Sequence, residues 1–160
     1  IVTMLDGTTP VGYSEQMSKY FAALYVSQLE GYDWYTISKQ VEHVMMFSDA
    51  AMQNRINNKF TLPDAPHKIY KDEKRVEIQI NNISIIDEKG LMQVRYTARI
   101  MPTNGGSYNP EKGTMTGVEE KKYIATIGYE YVNVPKLDSI RLVNPFGFTV
   151  KSYRVDQDGI

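Results

Sequence analysis

A chain of 160 residues, 42% hydrophobic and 23% charged, has the makings of one ordinary globular domain with a core of its own. With 18 basic against 19 acidic side chains the formal net charge is −1, which makes no electrostatic case for binding a phosphate backbone; nothing in the sequence concentrates a basic patch, and no direct nucleic-acid partner is expected. The absence of cysteine excludes disulfides, thiolate nucleophiles and cysteine-held metals, and no stretch approaches the ~20 apolar residues of a membrane-spanning helix.

Residues 1–13 carry Gly7, Pro10 and Gly12 without periodicity and read as a linker. Ser14 is placed to cap a first helix, with Glu15 in the first turn where an anion suits the helix dipole. Met17, Tyr20, Phe21, Leu24, Tyr25 and Leu29 recur at helical spacing, and Gly31 ends the run. Asp33 is placed to cap a second helix that buries Trp34, Ile37, Val41, Val44 and Met45. Ser48 and Asp49 open a third, with Met52, Ile56 and Phe60 on one stripe, before Pro63 and Pro66 close the helical half.

The period then changes from helix to strand. Val76, Ile78 and Ile80 alternate with polar neighbours, and the apolar parity flips to Ile83 and Ile85 across Asn81-Asn82. One strand buries both sets on one face only if it carries an extra residue, so a β-bulge is expected there. Asp87-Glu88-Lys89-Gly90 links this strand in a hairpin to a second one carrying Met92, Val94, Tyr96, Ala98 and Ile100. The connection from Pro102 to Glu120 is long and Gly-rich, and reads as mobile and without structure of its own. A third strand carries Tyr123, Ala125, Ile127, Tyr129 and Tyr131. A fourth begins with Phe146, Phe148 and Val150 and continues through Tyr153 and Val155. Helices followed by strands define an α+β domain, and the bulge implies a sheet curved around the first helix into a cone-like half-barrel.

Enzyme signatures are weak. No phosphate-binding glycine loop, dinucleotide fingerprint or nucleophile elbow is present. His43 and His67 lie 24 positions apart, one on a helix and one in a Pro-flanked loop, which is poor metal-ligand spacing. The acidic pairs Asp72-Glu73 and Glu119-Glu120 read as solvated strand ends. Twelve tyrosines are mostly half-exposed core filling, with a modest lean toward recognition surfaces. The distinctive segment is Asn144-Pro145-Phe146-Gly147-Phe148. Proline fixes φ and glycine tolerates angles closed to other residues, so the segment encodes a sharp, rigid corner flanked by aromatic rings.

Three segments carry a resemblance. They are Tyr32-Asp33-Trp34-Tyr35, then Tyr123 to Ile127 with Tyr129-Glu130-Tyr131, and the terminal corner leading into Ser152-Tyr153-Arg154-Val155. In their order and spacing, from about Ser14 to Val155, the chain resembles the periplasmic domain of the eighth VirB protein, the single-span inner-membrane assembly component of bacterial type IV secretion systems. The resemblance implies a nuclear-transport-factor-like fold: three N-terminal helices packed on a curved four-stranded antiparallel sheet. It implies a membrane-proximal linker over residues 1–13 and a single periplasmic domain over 14–157, held at the inner membrane only by an N-terminal helix that precedes Ile1. No catalysis and no cofactor are implied. Partners would be other secretion subunits and a second copy in a weak homodimer, weak because the sequence offers single aromatic anchors and no long apolar seam. The assembly role would fall on Asn144, Pro145, Phe146 and Gly147, with Tyr153 and Arg154 beside them. An alternative keeps the cone but makes it a small isomerase or dehydratase with an interior pocket, which needs a carboxylate base facing a hollow.

Overall fold

The apolar alternation that begins near Lys74 builds a sheet, and the helical half covers one of its faces. The computed structural model describes residues 11–104, 108–111, 113–115, 117–133 and 137–159. In chain order these form α1 (Val11–Glu30), α2 (Ile37–Met46), α3 (Ala50–Thr61), α4 (Pro66–Ile69), β1 (Lys74–Asp87), β2 (Leu91–Pro102), β3 (Tyr108–Asn109), β4 (Thr114–Met115), β5 (Glu119–Tyr131), α5 (Asp138–Arg141) and β6 (Phe148–Gln157). The four long strands make an antiparallel sheet in the order β1-β2-β5-β6.

The expected bulge is present. Register slips between Ile80 and Asn82, leaving Asn81 as the extra residue, and the Asn81 amide donates to Thr97 Oγ1 at 2.8 Å. Ile78 and Ile80 on one side, and Ile83 and Ile85 on the other, therefore pack on the same core. A second slip was not expected. Gly128 pairs with Ser152 but Tyr129 pairs with Val150, so Lys151 is surplus on β6. That slip turns Phe148 and Val150, and then Tyr153, toward one interior.

Helix α1 supplies the other wall. Phe21, Ala22, Tyr25, Val26 and Leu29 are buried against Val94, Tyr96, Ile127, Phe148 and Val150. Each large side chain buried in this way contributes roughly 1.5–3 kcal/mol of transfer free energy. The Tyr25 and Ser48 hydroxyls inside the core are matched. Tyr25 donates to Ser48 Oγ at 2.8 Å, and that hydroxyl donates to Val44 O at 2.7 Å.

Several expectations need correction. Helix α1 starts at Val11, immediately after Pro10, so Ser14 lies within it instead of capping it, and Val11–Tyr13 belong to the helix and not to a linker. Tyr20 points to solvent. Asp33 does not cap α2: its carboxylate accepts from Tyr35 N at 2.9 Å, and the helix opens at Ile37 after Thr36. Tyr32 is bonded to Val76 across a bridge, which carries the chain over the sheet and leaves Trp34 45% exposed. Asp49 caps α3 as expected, accepting from Met52 N at 2.9 Å. The Pro102–Glu120 connection has structure of its own in the short β3–β4 hairpin, although residues 105–107, 112 and 116 lie outside the described residues. Phe146 precedes β6 and is not part of it, and the short α5 was unforeseen.

Candidate functional site

The corner before β6 is held by one buried side chain. Asn144 is 3% exposed and follows α5, its backbone N–H bonding Ile140 O at 2.8 Å. Its carboxamide oxygen accepts from Gly147 N and Phe148 N, both at 3.1 Å, and its nitrogen donates to Phe148 O at 2.9 Å and Met46 O at 3.2 Å. One asparagine thus closes the turn on itself and ties it to the end of α2. No other side chain of that size offers an acceptor and two donors in one plane.

Gly147 completes the corner with φ at +72°, in the left-handed region that favours glycine. A Cβ there would lie 1.9 Å from Val132 O, so the β5 exit passes directly against it. Val132 N donates to Gly147 O at 2.9 Å, and Thr149 Oγ1 donates to the same oxygen at 3.0 Å. The backbone groups of Gly147 and the N–H of Phe148 are therefore all tied down.

Rigidity inside is paired with apolar surface outside. Pro145 and Phe146 face solvent, Phe146 with 43% of its surface exposed. The Phe146 ring lies 6.2 Å from Phe21, whose ring stacks on Phe148 at 5.5 Å, and Phe148 stacks on Tyr129 at 5.2 Å. Exposed Tyr20 meets Phe21 edge-on, Tyr131 and Val132 are exposed at the end of β5, and Leu142 is 84% exposed at the end of α5. A groove of about 350 Å³ runs beneath, lined by Met45, Met46, Val132, Ile140, Asn144 and Gly147 among others. An exposed cluster of large apolar side chains on a fixed backbone is the usual mark of a contact surface.

The remaining two candidates lie elsewhere. Tyr153 is buried, and its hydroxyl donates to Glu30 Oε2 at 2.8 Å. Burial, and then the Glu30 carboxylate, hold its pKa well above the ordinary tyrosine value, so it remains a neutral donor. Its place is in the interior wall and not on the surface expected of it. Arg154 is exposed on the opposite face of β6 and bonds Asp156 at 2.9 Å. The sequence reading missed Met46 and Val132, whose backbone groups shape the corner; nothing local marks them, because they come from other elements.

A cleft of about 320 Å³ opens beside Tyr153, lined by Glu30, Met52, Arg55, Ile56 and Lys59. Its one acid is engaged: Glu30 accepts from Tyr153 and lies 3.6 Å from Lys59, while Arg55 donates to Tyr153 O at 2.8 Å. A general base needs a free carboxylate facing a bound substrate, and this one is spent on the wall of the cone.

Helices packed on one face of a bent antiparallel meander are the architecture of a nuclear-transport-factor-like domain, and solved structures of the same shape include a type IV secretion protein. The soluble domain of the TrwG type IV secretion machinery from Bartonella grahamii superposes with a TM-score of 0.78 at 29% identity, covering 90% of this chain and 94% of that one. The VirB8 protein of Agrobacterium tumefaciens shares the fold at a TM-score of 0.76 and 24% identity, over 96% of both chains. By sequence, residues 1–158 match the family described as VirB8 protein, and the chain belongs to that family. The type IV secretion system protein VirB8 of Brucella suis biovar 1 is 39% identical over 160 residues, 99% of this chain and 62% of the relative. PtlE of Bordetella pertussis is 30% identical over 144 residues, 89% of this chain and 57% of the relative. The chain thus spans about three fifths of the length of the relatives it matches. The relatives of this family are named as type IV secretion system proteins.

Proposed function

We propose that this chain is the periplasmic domain of an inner-membrane subunit that assembles a type IV secretion machine, and that its corner from Asn144 to Phe148 is a docking element for a second copy and for other subunits. The observation that carries this reading is the pairing of a backbone locked by a buried asparagine with an exposed aromatic at its tip. A contact surface fixed in advance loses little conformational freedom on binding, which is the physical advantage of rigidity here. Membership of the VirB8 family supports the assembly role. No helix among the described residues is long and apolar enough to cross a membrane, in keeping with a domain that is itself outside the bilayer.

Phe146→Ala is the clean variant, because the side chain is half out of the protein and its loss leaves the Asn144 bonds intact. Introduced into the full-length protein, in cells otherwise lacking it, this variant should reduce secretion by at least tenfold at unchanged protein level. Wild-type secretion from well-folded Phe146→Ala protein would overturn the docking role.

A further inference from the structure

Strands β1 and β6 are the two edges of the sheet, and they are finished differently. At β6, Val150 N donates to Phe47 O at 2.7 Å and Asp49 N donates to Val150 O at 3.0 Å, while Lys151, Arg154 and Asp156 place charge along the rest. At β1 the cover stops at Val76, which exchanges two bonds with Tyr32 at 2.9 and 3.0 Å. From Ile78 to Ile86 there is no charged side chain, and among the described residues no backbone group outside β2 bonds this edge. A long uncharged edge is a template for another strand.

The groups available on it can be deduced. Because Val76 gives both its N–H and its C=O to Tyr32, it points away from β2, and every second residue does the same. Ile78 and Ile80 therefore point outward, and after the extra Asn81 so do Ile83 and Ile85. The segment Ile78-Gln79-Ile80-Asn81-Asn82-Ile83-Ser84-Ile85 reads almost the same from either end.

We infer that β1 pairs antiparallel with β1 of a second copy, about a two-fold axis between Asn81 and Asn82. In this register Ile80 faces Ile83 of the second copy and Ile78 faces its Ile85, so the outward groups meet and exchange about eight backbone hydrogen bonds. The apolar side chains of both copies stay on the core side. The extra residue sits next to the axis in both strands, which keeps them in step on either side of it. Beyond the paired stretch the edge is already taken at Val76 by Tyr32, so the pairing is confined to Ile78–Ile85 and the association stays weak. This surface is distinct from the corner, which lies at the other edge of the sheet. A chain with both contacts can build assemblies larger than a dimer.

The register dictates its own test, helped by the absence of cysteine. Gln79 should stand opposite Ser84 of the second copy in a non-hydrogen-bonded pair, where Cα atoms approach to about 4.5 Å and a disulfide can close. In Gln79→Cys/Ser84→Cys the two sulfurs of one chain are too far apart along the strand to bond each other. Mild oxidation should convert most of this double variant to a covalent dimer on a non-reducing gel. An equal mixture of the two single variants should also crosslink, and neither single variant should do so alone. Both side chains face away from the core, and a melting curve within a few degrees of wild type checks the fold. No crosslink in a folded double variant, or equal crosslinking by a single one, overturns the pairing. Adding Phe146→Ala must leave the crosslink unchanged; if it abolishes it, the edge is not an independent contact, whatever becomes of the corner.

Discussion

At the scale of single residues, two positions decide whether the corner exists. Asn144→Ala removes two donated bonds and leaves the N–H groups of Gly147 and Phe148 without their acceptor in a buried site. The cost is on the order of 2–4 kcal/mol. Gly147→Ala forces a β-carbon to within 1.9 Å of Val132 O at a positive φ, so the end of β5 must move. About 3 kcal/mol corresponds in a domain of this size to a fall in Tm of roughly 6–12 °C. Thermal melts of both variants should show such a drop. A melt of Asn144→Ala within about 1 °C of wild type would mean that the carboxamide is not what holds the turn. Gly147→Arg, a natural choice for blocking a surface, is a poor probe of docking because it breaks the fold first.

At the scale of elements, legibility followed the strength of the periodic signal. Strands β1, β2 and β5 could be read because residues facing one side alternate with residues facing water. The Asn81 bulge could be read because a parity flip has no other remedy. The same signal was present in β6, where Phe148 and Val150 give way to Tyr153 and Val155, but the flip went unremarked. That slip is the reason Tyr153 turned out to be a wall residue bonded to Glu30 and not a contact beside the corner. Trp34 was misread for a different cause. Asp33 is a good helix cap by type, but the bridge from Tyr32 to Val76 claims the preceding backbone and delays the helix to Ile37. A contact so distant in sequence leaves no trace in local propensity. The corner was legible as a rigid bend from Pro145 and Gly147. Its anchoring to α2 and to β5 was not.

At the scale of the whole molecule, the interior is a packed cone of tyrosine hydroxyls, and its stability carries their signature. Burial pushes the Tyr25 pKa up to about 12 from the ordinary 10, and burial likewise raises Tyr96 and Tyr153. These hydroxyls hold their protons more tightly folded than unfolded. Their contribution is therefore complete below about pH 10, the unfolded value, and falls as pH rises toward the folded value. For Tyr25 alone the loss between pH 10 and about pH 12 is on the order of 2–3 kcal/mol. Urea midpoints should hold steady up to the ordinary tyrosine pKa and decline above it, with a second rise of tyrosinate absorbance, beyond that of exposed tyrosines such as Tyr20 and Tyr35, accompanying unfolding. Urea midpoints that stay constant to about pH 12 would show that the buried hydroxyls do not govern stability there.

A locked corner presents Phe146 for docking, and self-association of the isolated domain tests this without any other subunit. Sedimentation equilibrium over a wide concentration range should show wild type in weak self-association that extends beyond the dimer, and Phe146→Ala stopping at the dimer paired through β1 while its melting curve is unchanged. Identical association beyond the dimer by the two folded proteins would contradict the docking role of Phe146.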